Sequence, residues 1–220
     1  MNINDAVKKW NYSFPKEMEN KFTLRTYKQG ESILQTGDAI DGLYLLVEGR
    51  YYVTTKEVTG KELLLRYCNP PAILGDIEIF QSCPVQSDCI ADRACVFLFI
   101  PLTVYQTYLQ YDGAFSQLLL KELTFKLQTC TISSRVNALA AVSTRFAAYL
   151  CTIASDIQLK HYMSTTNLND IASLIGTTKR HLNRVLKDWA NLNIVERTDK
   201  GIHILDWSQI EALSENIRYE

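Results

Sequence analysis

Over residues 22–100 apolar and polar positions change over in short runs, each closed by a turn signal: Gly30, Gly37-Asp38, Asp41-Gly42, Glu48-Gly49, Thr59-Gly60, Asn69-Pro70-Pro71 and Gly75-Asp76. β-branched and aromatic runs broken this regularly predict an all-β sandwich or roll. From residue 102 the spacing becomes helical, and between Pro101 and Gly176 the only glycine is Gly113 and there is no proline. A boundary therefore falls near residue 101. Within residues 114–138, Leu120, Leu123, Leu127 and Cys130 recur in a three-then-four spacing, which makes a narrow apolar seam on one helix face. Such a seam needs a partner, either the chain's own β half or a second helix.

Residues 167–189, NLNDIASLIGTTKRHLNRVLKDW, read as two helices around a tight turn. Asn167 with Asp170 three places on is a helix start. Ala172 and Gly176 stand four apart; the small residue lets two helices approach, and the glycine takes a positive φ without Cβ strain. Thr177 or Thr178 caps the second helix, whose inward positions Leu182, Val185 and Leu186 keep helical spacing. This is the grammar of a helix-turn-helix.

The outward positions of the second helix are Lys179, Arg180, His181, Asn183, Arg184 and Lys187, behind Thr178 at its start. In residues 177–189 four Lys or Arg stand against one acid, Asp188, a local balance of +3. Arginine near the start of such a helix reads guanine with two parallel hydrogen bonds, and Asn or His adds base or phosphate contacts. The competing reading is a solvated basic face, and the turn that types the helix favours double-stranded DNA. Beyond it, NIVERTD and GIHIL flank an Asp199-Lys200-Gly201 turn, which predicts a β-hairpin wing with Arg197 and Lys200 able to reach phosphates.

Whole-chain numbers add little to this. The net charge of −1 gives no sign of nucleic acid, so the local charge carries that argument. A 47% hydrophobic and 21% charged composition describes a folded globular chain. The first residues lack an apolar leader region, and the longest apolar run, residues 94–102, is far below the ~20 needed to cross a membrane. The expected place is the cytoplasm, with no membrane partner. Six cysteines with no CxxC pair are expected to be reduced thiols, with no structural metal.

These motifs, in this order, resemble the cAMP receptor protein/FNR (Crp/Fnr) superfamily of transcriptional regulators, over nearly the whole chain. YKQGESILQTGDAIDGLYLLVEGRYYV is similar to the family's glycine-punctuated β-roll opening, and ILGDIEIF resembles the start of its phosphate-binding cassette. The resemblance implies an α+β chain: a β-roll sensor domain over residues 1–110, cyclic-nucleotide-binding-like and a double-stranded β-helix; a dimerisation helix over 111–138; and a winged helix-turn-helix over 139–220. It further implies a homodimer on a pseudo-palindromic operator, with Leu120, Leu123, Leu127 and Cys130 as the dimer seam and RNA polymerase as a partner.

Departures from the family pattern bear on the effector. The aligned pocket positions are Gly75, Asp76, Gln86, Ser87, Cys130 and Thr131. Cyclic-nucleotide binders of the family carry an Arg-Ser pair where this chain has Gln86-Ser87, and without the arginine a cyclic phosphate loses its cationic fork. cAMP is therefore disfavoured. An iron–sulfur cluster is disfavoured as well, because the family's N-terminal cysteine cluster is missing and the first cysteine is Cys68. No cofactor is expected, and the effector stays open. On the recognition helix Arg180 takes the place of the family's glutamate, so the preferred half-site should differ.

Three other readings remain. The helical domain of a small-molecule-binding signalling module could engage a protein instead of DNA. Cys83 and Cys89 bracket a short loop that could form a disulfide, a thiol redox switch, against which stands the commoner role of cysteine as a small buried hydrophobe. Catalysis has no support: His161, His181 and His203 have no nucleophile motif or metal spacing around them, and no enzyme is expected.

Overall fold

A computed structural model describes residues 1–10, 12–56, 62–154, 161–164, 168–198 and 201–220. Asn167, Asp199, Lys200 and the Thr59-Gly60 turn lie outside the described residues. The chain divides into two compact units, residues 1–55 with 67–129, and residues 56–66 with 130–220.

The first unit is the β-roll that the turn spacing predicts. One four-stranded sheet has the order β1 (Thr23–Tyr27), β8 (Cys95–Pro101), β3 (Gly42–Glu48), β6 (Ala72–Leu74). The other runs β2 (Ser32–Leu34), β7 (Asp88–Ala91), β4 (Tyr51–Lys56), β5 (Glu62–Cys68), of which residue 56 and residues 62–66 are grouped with the second unit. The pairings are antiparallel, with Thr23 opposite Phe99 and Gly42 opposite Pro101. Strand β3 is buried on both faces, as its near-continuous apolar sequence requires. Leu43, Leu45 and Val47 join Leu98 and Ile100 in one core with Trp10, Phe14 and Met18. Tyr44 and Leu46, on the other face, meet Phe97, Phe99, Tyr51 and Cys89 in a second core. The two-residue side-chain period is what splits these sets.

Two helices, α1 (Ile3–Lys8) and α2 (Lys16–Glu19), precede the segment read as strands, and a third, α3 (Asp76–Gln81), falls within it, where strands alone were predicted. At α1 the Asn2 side chain accepts from the Asp5 backbone N–H at 2.9 Å, an N-cap that secures a short helix. Helix α3 follows Gly75, whose φ is +91°; a Cβ there would lie 2.4 Å from the Gly42 carbonyl oxygen. After β8 come α4 (Leu102–Val104), a π-helical turn at Tyr105–Leu109 and the long α5 (Gly113–Leu139), whose bounds agree with the seam helix to one residue at each end. Helix α5 has two apolar faces. Phe115 and Leu119 are buried, while Leu120, Leu127 and Leu139 are 52%, 69% and 81% exposed.

In the second unit α6 (Val142–Ile153), α7 (Leu168–Leu174) and α8 (Lys179–Asn191) precede β10 (Val195–Arg197), β11 (Gly201–Ile204) and α9 (Trp207–Leu213). Phe146 stacks on Trp189 at 5.1 Å between ring centres. The predicted hairpin is β10–β11, and a third strand, β9 (Tyr162–Ser164), pairs with β11. That strand has no local signal: it is three residues long, and its partner lies some forty residues on.

Candidate nucleic-acid interface and sensor residues

The turn between α7 and α8 closes through hydrogen bonds from Gly176 N–H to the Ser173 carbonyl (2.9 Å) and from Thr177 N–H to the Ala172 carbonyl (2.8 Å). Gly176 has φ +65°, the left-handed conformation that the sequence assigns to it. Of the two threonines offered as caps it is Thr178 that serves, its hydroxyl accepting from His181 N–H at 3.2 Å. The sequence missed a third contributor. Arg145, on α6, donates through Nη1 to the carbonyls of Ile175 (2.8 Å) and Gly176 (3.2 Å), so a guanidinium from another helix fixes the two carbonyls that follow α7 in the turn.

With the turn fixed, α8 buries Leu182, Val185, Leu186 and Trp189. Thr178, Lys179, Arg180, Arg184 and Lys187 are exposed, and His181 and Asn183 are half-buried. Two contacts preset this face. Arg184 Nη2 lies 2.6 Å from His181 Nε2, and Arg197 of the wing donates to Asn183 Oδ1 at 3.0 Å. Asn183 thus joins recognition helix to wing, and Thr178, Arg180, His181 and Arg184 line one concave patch. The arrangement offers a fork of exposed cations suited to phosphate and guanine edges. Lys200 lies outside the described residues.

The effector candidates fall in both units. Gly75, Asp76, Gln86 and Ser87 belong to the first unit; Cys130 and Thr131 belong to the second and are exposed on α5. Gln86 is exposed and folds back, Nε2 donating to the Pro84 carbonyl at 2.6 Å. Asp76 is 1% exposed and is held by a residue the sequence did not single out: Lys126 of α5 donates to Asp76 Oδ1 and to the Ile73 carbonyl (2.7 Å). Asp76 Oδ2 is buried with no hydrogen-bond partner. The seam residues Leu120, Leu127 and Cys130 are exposed, and Leu123 is half-buried.

Cys83 and Cys89 are both free thiols. Cys83 is half-buried and Cys89 buried. Burial, first of all, pushes the Cys89 thiol far up, and neighbouring Cys68, Glu78 and Asp88 add to this against the opposing charge of Lys126. A thiol so placed is a poor nucleophile. Among the described residues no group of three or more His, Cys, Asp or Glu is placed to hold a metal, and no helix is long and apolar enough to cross a membrane.

Comparison with known proteins follows the same two-part division. Residues 24–112 match the cyclic nucleotide-binding domain and residues 144–213 the Crp-like helix-turn-helix domain. The cAMP-activated global transcriptional regulator CRP of Salmonella typhimurium is 21% identical over 184 residues, 81% of this chain and 88% of that one. Regulatory protein YeiL of Escherichia coli O157:H7 is 24% identical, over 83% and 81%. Among solved structures, a Crp/Fnr-family transcriptional regulator from Eubacterium rectale superposes with a TM-score of 0.80 at 18% identity, over 91% of this chain and 93% of that one. One from Thermus thermophilus gives 0.69 at 18%, over 88% and 99%. With both domains matched in order and the roll and helix-turn-helix both present, the chain belongs to the Crp/Fnr family of DNA-binding transcriptional regulators.

Proposed function

We propose that this chain acts as a cytoplasmic homodimer on a pseudo-palindromic operator, reading its half-sites with α8 and controlled through a sensor unit that does not take cAMP. The observation that carries the reading is the exposed cationic face Lys179, Arg180, Arg184 and Lys187 on a helix anchored by four buried apolar residues. The same face touches its wing through Arg197. Homodimerisation is supported by the apolar stripe of α5, where Leu120 and Leu127 stay mainly in solvent in the single chain; a second α5 would cover it. A two-fold dimer presents two recognition helices to major grooves about 34 Å apart. RNA polymerase is the partner the family resemblance suggests.

The argument against cAMP is chemical. The relatives named cAMP-activated suggest a cyclic nucleotide here too. At the aligned positions, however, an exposed glutamine replaces the cationic fork, and the half-buried Lys126 ammonium already serves Asp76. A buried phosphodiester without a paired cation is strongly disfavoured.

Selection of duplexes from a random pool by the reduced full-length protein tests this. A two-fold-symmetric motif with half-site centres one helical turn apart, unchanged by added cAMP, is the expected result. A non-palindromic motif would overturn the dimeric reading, and a motif recovered only with cAMP would overturn the sensor reading. No enrichment in reducing, oxidising or metabolite-supplemented conditions would point to a protein partner for the helical domain.

A further inference from the structure

We propose that the first unit carries a binding site for a small organic cation, an amine or guanidinium on an alkyl or aryl body, in the surface cleft beside α3, with the Glu78 carboxylate as its anchor. The cleft has a volume of about 670 Å³ and is lined by Ile40, Glu78, Ile79, Phe80, Tyr105 and Gln110, among others. That is the size range of small-molecule sites.

Two polar groups in its wall are without partners. Glu78 is 8% exposed, yet its carboxylate makes no hydrogen bond or ion pair with any described residue. Tyr105, at the start of the π-helical turn, is 5% exposed, and its hydroxyl is equally unpartnered. A carboxylate that opens on the cleft without a protein partner gains a charge-assisted hydrogen bond from a cation that enters beside it. Among the described residues no Lys or Arg lines the cleft, so its field favours positive charge over phosphates and carboxylic acids. An ammonium or guanidinium donates to Glu78 and to the Tyr105 oxygen together. Ile40 and Ile79 receive the alkyl part, and the ring of Phe80, 53% exposed, offers a face for cation–π contact. Helix α3 also carries Asp76, which Lys126 ties to α5, so an occupant drawing on Glu78 acts on a helix linked to α5.

Titration calorimetry of the full chain with benzylamine and agmatine, with benzyl alcohol and cAMP as controls, tests the site without reference to DNA. Saturable one-site binding of at least one amine is expected, weakened about ten-fold or more in Glu78→Gln, the loss that follows from removing one charge-assisted hydrogen bond. Gln110 is exposed, so Gln110→Lys keeps the fold and brings a competing cation into the cleft; it should weaken the amine comparably even if Glu78→Gln fails to fold. The inference is overturned if neither amine saturates, if benzyl alcohol binds as well as benzylamine, or if the variants bind the amine unchanged. DNA selection proceeds independently, so failure here leaves the operator reading standing.

Discussion

Helix α8 turns Leu182, Val185, Leu186 and Trp189 inward and leaves its cations in solvent, whereas α3 buries Asp76 and Glu78 and leaves Ile77 and Phe80 41% and 53% exposed. The first is the ordinary amphipathic solution: apolar burial supplies stability and the polar face is free to meet a ligand. The second inverts it. A six-residue helix that hides two carboxylates and shows two large apolar side chains gains little from burial of its own, and it depends on Lys126 from elsewhere in the unit. Charge on α8 is therefore expected to govern binding with little effect on folding, and charge on α3 to govern both.

Removing charge from α8 should produce the largest effect. The triple variant Lys179→Ala, Arg180→Ala, Arg184→Ala should lose DNA affinity on the order of 1,000-fold, since each base-reading pair is worth about 1–3 kcal/mol. Its thermal unfolding should match the parent, because exposed substitutions stay within about 0.5 kcal/mol. Fluorescence anisotropy on a selected duplex, with calorimetric unfolding alongside, checks both halves. Retained affinity would mean that the basic face is only a solvated surface.

Removing the cation beneath α3 should do the opposite. Lys126→Met leaves Asp76 buried with both oxygens unsatisfied and should destabilise the first unit by about 3–5 kcal/mol. Adding Asp76→Asn to that variant should recover part of the loss. Denaturant unfolding measures this, and a cost below about 1 kcal/mol would show that the pair is effectively solvated.

These two regions also differ in how far the sequence reveals them. The α8 face is legible because its apolar residues, cap and turn glycine lie within twenty positions and obey local rules of helix spacing and capping. The roll was legible from its turns. What escaped were contacts made at a distance: Lys126 meets Asp76 across 50 positions, and Arg145 meets Ile175 across 30. No local periodicity marks such pairs. Helix α3 escaped for another reason: its polar-in, apolar-out pattern contradicts the rule by which helices are read.

The two turn glycines compare the regions at smaller amplitude. At Gly75 a Cβ would meet the Gly42 carbonyl oxygen at 2.4 Å, whereas at Gly176 its nearest contact is the flexible Arg145 Nη1 at 3.2 Å. Both residues have positive φ, which costs a side chain about 1–2 kcal/mol. Gly176→Ala should lose about that much, and Gly75→Ala more, because backbone must shift as well. Equal unfolding midpoints would mean that the α3 entry is as pliable as the α7–α8 turn.

The smallest expected effect separates two roles for Asn183. Its Oδ1 is engaged by Arg197 Nη2 at 3.0 Å, so in the free protein it positions the wing. Asn183→Ala should lose one exposed hydrogen bond, about 0.5–1.5 kcal/mol, hence no more than about ten-fold in DNA affinity. A positioning role, with Asn183 aiming Arg197 at phosphate, predicts a loss shared by every duplex in the selected set, since phosphate contacts carry no sequence information. A base-reading role predicts the loss at one position of the half-site, with the other positions retained. Measuring the variant against single-base substitutions across the half-site decides between them. A position-specific loss would mean that Asn183 leaves Arg197 on meeting DNA, and that the contact seen in the free chain is a resting state of the recognition face.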